Sequence, residues 1–367
     1  MAFDMNPKAN TYPDIAKNQH LVPKTYMREW SATGNDSVWV YDKMEEDKGI
    51  QPKNVETINC KRGFHDIKAG DIFIPDEALE PLFGFLKKYR IELNGTELRT
   101  LRELSDNYYE YDQWEIYDDC NNIAGKKVKN SYKKAIEQSR YAFIEKEWGR
   151  QFENSWQTYI HQIEEKVRCK ILKTPYVPNE EEIKELMEQI LVFDFRNING
   201  NAWINSIIDN ILPEELANLE IPVKERVHLF NSTADDEMKH AVRIKAFYEF
   251  LKNRNGKIIM MLENYLKNLH IEICLTDNNF PFLTCDTPSM MIKRIDNLYE
   301  HIFIATPTML VTTFKSDRYT YARKYLSPKE VKRYNKYIIK NSNLIITRDN
   351  TEEILKLIKN NSLRCDL

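Results

Sequence analysis

Glycine is scarce in this chain, ten in 367 residues, so there is little material for the backbone loops that cradle phosphates. The sequence contains no Gly-x-x-x-x-Gly-Lys, no Gly-x-Gly-x-x-Gly, no His-Glu-x-x-His, no Gly-x-Ser-x-Gly and no clear EF-hand loop. The usual signatures of nucleotide binding, zinc proteolysis and serine hydrolysis are therefore missing. Six cysteines, Cys60, Cys120, Cys169, Cys274, Cys285 and Cys365, are scattered without a Cys-x-x-Cys pair. That disfavours a zinc knuckle or a disulfide framework and fits reduced, cytoplasmic thiols. No stretch approaches the roughly 18 to 20 uninterrupted apolar residues of a membrane span. Residues 1–15 carry Asp4, Pro7 and Pro13 and lack the apolar run of a signal peptide. Charge of one sign is also lacking, with 53 basic against 56 acidic residues and a net −3. No global field draws the protein to a membrane, and nucleic acid or another anionic ligand can be held only by a local patch.

What is present describes a soluble globular protein: 42% apolar residues, 11% aromatic and 30% charged. The length suits one large or two modest domains. The opening segment Lys17-Asn18-Gln19-His20-Leu21-Val22-Pro23-Lys24-Thr25-Tyr26-Met27-Arg28-Glu29-Trp30 sets two polar residues before an extended Val-Pro. Beyond it, Tyr26, Met27 and Trp30 recur at helical spacing. This order predicts a strand or loop end presenting Gln19 and His20, then a short helix docking an aromatic face.

Period-two alternation over Ser37–Lys43 reads as a strand and a turn through Gly49, with Val55–Cys60 as its expected partner; Lys61–Asp66 reads as a loop around Gly63. From about Asp76 the period becomes helical, with Leu79, Leu82, Phe83, Phe85 and Leu86, and the spacing continues through Leu93, Leu98, Leu101 and Leu104. The Tyr- and acid-rich Asp106–Asp119 segment reads as a loop or lid. Val128–Leu172, proline-free, predicts one long or two consecutive helices burying an aromatic stripe. Pro175 and Pro178 end it. Asn179-Glu180-Glu181-Glu182 starts the next helix, which carries Ile183 to Phe195 and ends near Arg196 and Gly200. Further helices are expected over Ala202–Leu219 with a break at Pro213, over Glu237–Leu251 and over Lys257–Leu269. Strand texture returns at Leu269–Thr276, with Phe280–Cys285 as its expected hairpin partner across Asp277-Asn278-Asn279. Strands at His301–Thr306 and Met309–Phe314, a helix at Pro328–Ile339, a strand at Leu344–Thr347 and a helix at Thr351–Ile358 complete the reading. The expected fold is α+β: a small β-rich lobe (17–75), a helical body (76–268), and a C-terminal segment of antiparallel β-hairpins with helices (269–360) packing with the first lobe.

Four residues are candidates for chemistry. Asp286, in Thr284-Cys285-Asp286-Thr287-Pro288, is a carboxylate at a strand end before a proline, a common way to aim an acid into a cleft. An Asp in that position more often bonds backbone to hold its turn. His20 can serve as base, ligand or proton switch, although a lone histidine beside Val-Pro is more often a packing residue, and Gln19 adds donors and an acceptor. Arg196, ending an apolar run, needs an anion partner. A carboxylate such as Asp286 or Glu147 would supply it within the chain, and a phosphate or carboxylate would supply it on a ligand; Glu147 and Glu153 offer carboxylates on the long helix, although glutamates on an exposed helical face are usually just solvated. A carboxylate-plus-lysine nuclease pattern from Asp286 to Lys293 lacks the acid-x-lysine pair.

Together these segments resemble a bacterial family named only as a domain of unknown function, whose members open with Gln-His-x-Val-Pro-x-x-Tyr-Leu-x-x-Phe. Here the motif reads Gln19-His20-Leu21-Val22-Pro23-Lys24-Thr25-Tyr26-Met27-Arg28-Glu29-Trp30, with Met27 and Trp30 as conservative departures. The resemblance continues through Val38–Tyr41 and through Gly63-Phe64, where His65 replaces a usual tyrosine. It takes in Phe193-Asp194-Phe195-Arg196, Thr284-Cys285-Asp286-Thr287-Pro288 and Thr306-Pro307-Thr308, spanning roughly 17 to 347. It implies that Gln19, His20, Arg196 and Asp286 belong to one recurring pattern gathered around a shared pocket, and it brings no activity with it.

Two functions fit that pattern. In the first, a nuclease-like hydrolase, Asp286 and His20 activate water or hold a divalent metal ion while Arg196 neutralises an anionic group. In the second, a non-catalytic binding or sensor module, for example in bacterial defence against phage, the same residues form a structural latch.

Overall fold

A computed structural model describes residues 3–5, 7, 18–62, 64–66, 76–139, 142–169, 176–196, 242–277, 279–293 and 299–362. The fold is α+β. Contacts divide the chain into two discontinuous units. The first holds Met1–Gln19, Arg62–Trp148 and Asn205–Ile258, the second His20–Lys61, Gly149–Ile204 and Ile259–Leu367. The helix expected across Ala202–Leu219 with its break at Pro213, the turn glycine Gly63, and Pro175 and Gly200 lie outside the described residues. Among the described residues no helix is long and apolar enough to cross a membrane.

In the first unit, the Asp76–Phe83 helix buries Leu79, Leu82 and Phe83 as its spacing predicts. The leucine spacing that follows is not helical. Arg90–Leu93 and Thr96–Glu97 form a hairpin, and Glu115–Tyr117 pairs along the other edge of Arg90–Leu93. The turn is Asn94-Gly95, both with positive φ (51° and 77°), the conformation a two-residue hairpin of this hand requires. Local turn chemistry thus overrides the leucine period. A capping box, Thr100 with Glu103, then starts the Leu101–Asp106 helix. The segment expected as a loop or lid is packed instead: a 3₁₀ turn at Tyr108–Gln113 buries Tyr111, and Trp114 lies 4.9 Å from the Tyr111 ring. Neighbouring rings Phe83 and Tyr108 complete this cluster, and burial of Phe83, Tyr111 and Trp114, with Tyr108 half-buried, outweighs the segment's acidic character.

The expected long helical run is divided into Lys126–Ser139, Ala142–Trp148 and Trp156–Arg168, with a π turn at Gly149–Glu153. Among the described residues of its aromatic stripe, Trp148, Phe152 and Trp156 are buried as anticipated. In the second unit, Asn179 and Glu182 cap the Glu180–Arg196 helix reciprocally, at 2.9 and 3.0 Å. In the first unit a helix from 242 runs into the π turn Glu249–Asn253, and along the chain the Lys257–Lys267 helix follows.

Two sheets build the rest of the second unit. One has the order Ser289–Lys293, Tyr299–Thr306, Met309–Lys315, Leu269–Leu275, Thr320–Tyr325, with the last strand parallel to its neighbour. The other has the order Ile50–Asn54, Ser37–Asp42, Leu344–Thr347, Thr284–Cys285. Two sequence expectations are corrected here. Ser37–Asp42 pairs with Ile50–Asn54, not with Val55–Cys60, because Gly49 at φ 63° closes the turn earlier. Leu269–Leu275 forms no hairpin with Phe280–Cys285; it pairs with Met309–Lys315, while Thr284–Cys285 joins Leu344–Thr347 in the other sheet. The chain between them crosses from sheet to sheet, and two buried apolar strands carry no local signal of which sheet they enter. The strands at Ser289–Lys293 and Thr320–Tyr325 were not anticipated at all.

Candidate functional site

The opening segment folds as its sequence dictates: a strand at Asn18–His20, a helix at Lys24–Met27 starting just after Pro23, and a 3₁₀ turn at Arg28–Trp30. Tyr26, Met27 and Trp30 are completely buried. The Tyr26 hydroxyl bonds Thr284 Oγ1 at 2.5 Å and donates to the Ile304 carbonyl at 2.7 Å. Trp30 Nε1 donates to the Phe282 carbonyl at 2.9 Å. Around Tyr26 stand Trp30 (4.9 Å between ring centroids), Phe193 (4.8 Å), Trp156 and Phe303. The helix after Val-Pro is therefore a plug that locks onto both C-terminal sheets.

Gln19 ends the first unit's opening piece and binds within that unit. Its Nε2 donates to Asp66 Oδ1 at 2.6 Å, and its Oε1 accepts the His65 backbone N–H. The amide thus reads the two residues that follow Phe64. His65, buried, meets Glu145 Oε1 through Nδ1 at 2.6 Å and lies edge-on to Phe64 and Phe247. The Gln19 amide, the Asp66 carboxylate and the His65 ring at Nδ1 thus each meet a polar partner in the interior.

His20 begins the second unit's share of the segment. Its Nε2 donates to the Val55 carbonyl at 3.1 Å, so that nitrogen carries the proton. Its own backbone carbonyl accepts two bonds from Arg196, from Nε at 3.1 Å and from Nη2 at 2.7 Å. Arg196, with 0% of its surface exposed, pairs its remaining Nη1 with Glu153. The carboxylate bonded to it here is that of Glu153 on the π turn, where Asp286 or Glu147 was expected.

Asp286 follows the short Thr284–Cys285 strand. Its carboxylate accepts the Asn343 N–H at 3.2 and 3.4 Å, while its own N–H donates to the Leu344 carbonyl at 3.1 Å. Burial raises this carboxyl to about 6, opposed by the Asn343 and Leu344 amides and by the charge of Lys43. A carboxyl in that range exchanges its proton near neutral pH. Cys285 beside it is fully buried, its Sγ donating to the Thr287 carbonyl at 3.0 Å, and burial pushes the thiol up.

Of the four sequence candidates, the structure joins Arg196 directly to His20, through the backbone carbonyl. Gln19 is engaged with His65 and Asp66, and Asp286 with the start of the Leu344–Thr347 strand. Among the described residues no group of three or more His, Cys, Asp or Glu side chains is placed to hold a metal ion.

A polar cluster in the second unit escaped the sequence reading. Asp194, Ser289 and His301 are all buried. Ser289 Oγ lies 2.6 Å from His301 Nε2, and Asp194 Oδ2 lies 3.3 Å from the same nitrogen. The composition is that of a hydrolase triad, but the connectivity is not. A relay needs the acid on one ring nitrogen and the hydroxyl on the other, and here both oxygens meet Nε2. The available signal was Asp194 itself, a lone acid between Phe193 and Phe195 on an apolar helix face. Such a residue needs an interior partner, and the strand at Tyr299–Thr306 supplies it.

No curated protein and no solved structure matches this chain. The opening motif, the Arg196 helix and the Asp286 turn all fall within residues 18–352, which match the family described as protein of unknown function (DUF4238). The chain belongs to that family.

Proposed function

We propose that this chain is a non-catalytic binding or sensor module in which His20 and Arg196 form a latch that holds the second unit together. The observation that carries this reading is the coordination of Arg196. A hydrolase arginine must reach a phosphate or carboxylate on its substrate; this guanidinium is completely buried and engaged on three of its nitrogens by the His20 carbonyl and Glu153. The His20 ring supports the same reading, since Nε2–H is committed to a backbone carbonyl. A latch predicts that His20→Gln and Arg196→Lys lower the unfolding midpoint while leaving any ligand binding of the folded fraction unchanged. Metal-dependent nuclease activity in the purified protein, abolished by Asp286→Ala with folding retained, would overturn it.

One observation favours the hydrolase as a second reading. Asp286, at about 6, has the poise of a general acid–base. On that reading a bell-shaped or sigmoid pH–rate profile has a limb near pH 6 that vanishes in Asp286→Asn. Turnover without such a limb would assign the acid–base role to another group.

A further inference from the structure

The Pro328–Lys340 helix of the second unit has a sharply divided surface. Val331, Tyr334, Asn335, Ile338 and Ile339 face the core. On the other side, every exposed residue from Lys329 to Lys340 is a cation: Lys329, Lys332, Arg333, Lys336 and Lys340. Their spacing of three and four residues places them in one stripe along the helix. The helix has a single acid, Glu330, already committed to the Ser327 cap and to Lys324 at 2.8 Å. Among the described residues none of the five cations lies within ion-pair distance of a carboxylate. The neighbouring Glu352–Ser362 helix, with Glu352 and Glu353 against Lys356 and Lys359, is balanced and does not cancel the stripe.

In a chain of net charge −3, a solvated helix face would normally mix both signs. We propose that this stripe is a binding surface for the sugar–phosphate backbone of duplex nucleic acid. From Lys329 to Lys340 the helix advances about 16 Å, at ~1.5 Å per residue. Along a duplex that distance passes about five phosphates of one strand, at ~3.4 Å each. Five cations thus meet about five phosphates.

The alternatives fit less well. An anionic membrane surface takes a basic helix that also offers an apolar face for insertion, and the apolar face of this helix is inside the protein. A single strand needs exposed rings on which bases stack. Here Tyr334 is buried with the Arg333 guanidinium over it at 5.1 Å, and no ring on this helix face is exposed. The contacts available are to phosphate alone, so the binding is independent of base sequence. This surface uses none of the latch residues, so the two readings stand or fall separately.

The test is fluorescence anisotropy of the full chain with a labelled 20-base-pair duplex across a salt series. If four or five phosphates are neutralised, log K falls with log salt at a slope of about −4, and affinity drops roughly 250-fold between 50 and 200 mM. The variant Lys332→Gln/Arg333→Gln/Lys336→Gln reduces that slope by about 3 and retains the wild-type unfolding midpoint, since all three side chains are exposed. Lys126→Gln/Lys127→Gln/Lys134→Gln, an equal loss of charge from another helix, leaves the slope unchanged. Absence of salt-dependent binding, or equal loss in both triple variants, overturns the proposal. So does tighter binding to phosphatidylserine vesicles than to duplex, which would make the stripe a membrane surface.

Discussion

Arg196 holds His20 by its backbone carbonyl and not by its ring, with Nε at 3.1 Å and Nη2 at 2.7 Å from the same oxygen. What the Gln19-His20 segment contributes at this point is a path of the backbone, stiffened by a guanidinium whose last edge is neutralised by Glu153.

Removing one member of such a buried pair strands the other. Arg196→Met should cost about 3–5 kcal/mol, read as a fall in the urea midpoint. Combining it with Glu153→Leu should recover part of the loss, leaving the remainder due to the His20 carbonyl. Equal cost in the single and double variants would show that Glu153 does not depend on Arg196 for its partner.

Tyr26→Phe keeps the packed ring and deletes the hydroxyl shared by Thr284 and the Ile304 carbonyl. Each buried group left unmatched costs about 1–3 kcal/mol. Thr284→Val in the same background should be less harmful than in the wild type, because its partner is already gone. Additive costs in a double-mutant cycle would mean the short contact contributes nothing.

Asp286 titrates at about 6 in the folded chain, against about 4 unfolded. Between those values the folded state holds more protons, so stability falls as pH rises from 4 to 6. Asp286→Asn has no charge to bury and keeps an acceptor for the Asn343 N–H. Its stability relative to the wild type should therefore rise by about 1–2 kcal/mol between pH 4 and pH 7, less than the ~1.4 kcal/mol per unit of unscreened linkage. Denaturant melts at each pH measure this; a difference constant with pH would contradict the raised carboxyl.

Ser289 bonds a nitrogen that already faces Asp194, so it lacks the activation of a nucleophile. A fluorophosphonate probe should leave the folded protein unlabelled at Ser289. Ser289→Ala should cost about 1 kcal/mol, since His301 keeps its carboxylate partner. Stoichiometric labelling at Ser289 would reopen the hydrolase reading at this cluster.

Local patterns were legible wherever one face or one cap decided the outcome. The Val-Pro box with its aromatic plug, the Asn179 cap and the Pro328 start could all be read from the sequence. Asn94-Gly95 carried an equally local signal, but the leucines around it imitate a helical period. Other features depend on distance. Nothing near Thr284 states that it pairs with Ile346 and not with its neighbour strand, and nothing near Arg196 names Glu153. Partner choice among buried groups is set by topology, which one sequence does not display.

The Tyr26 bonds also have a history in time. Thr284 stands 258 residues beyond Tyr26, and a ribosome adding about 5–20 residues per second needs about 10–50 s to deliver it. The strand Leu344–Thr347, which pairs with Ser37–Asp42, comes later still. During synthesis the Tyr26 plug and the Ser37–Asp42 strand edge therefore wait for partners made much later. Tyr26 cannot complete its two bonds until Thr284 and Ile304 have been made, and a nascent chain halted before residue 284 would present Tyr26 and Trp30 to whatever chaperone waits at the exit.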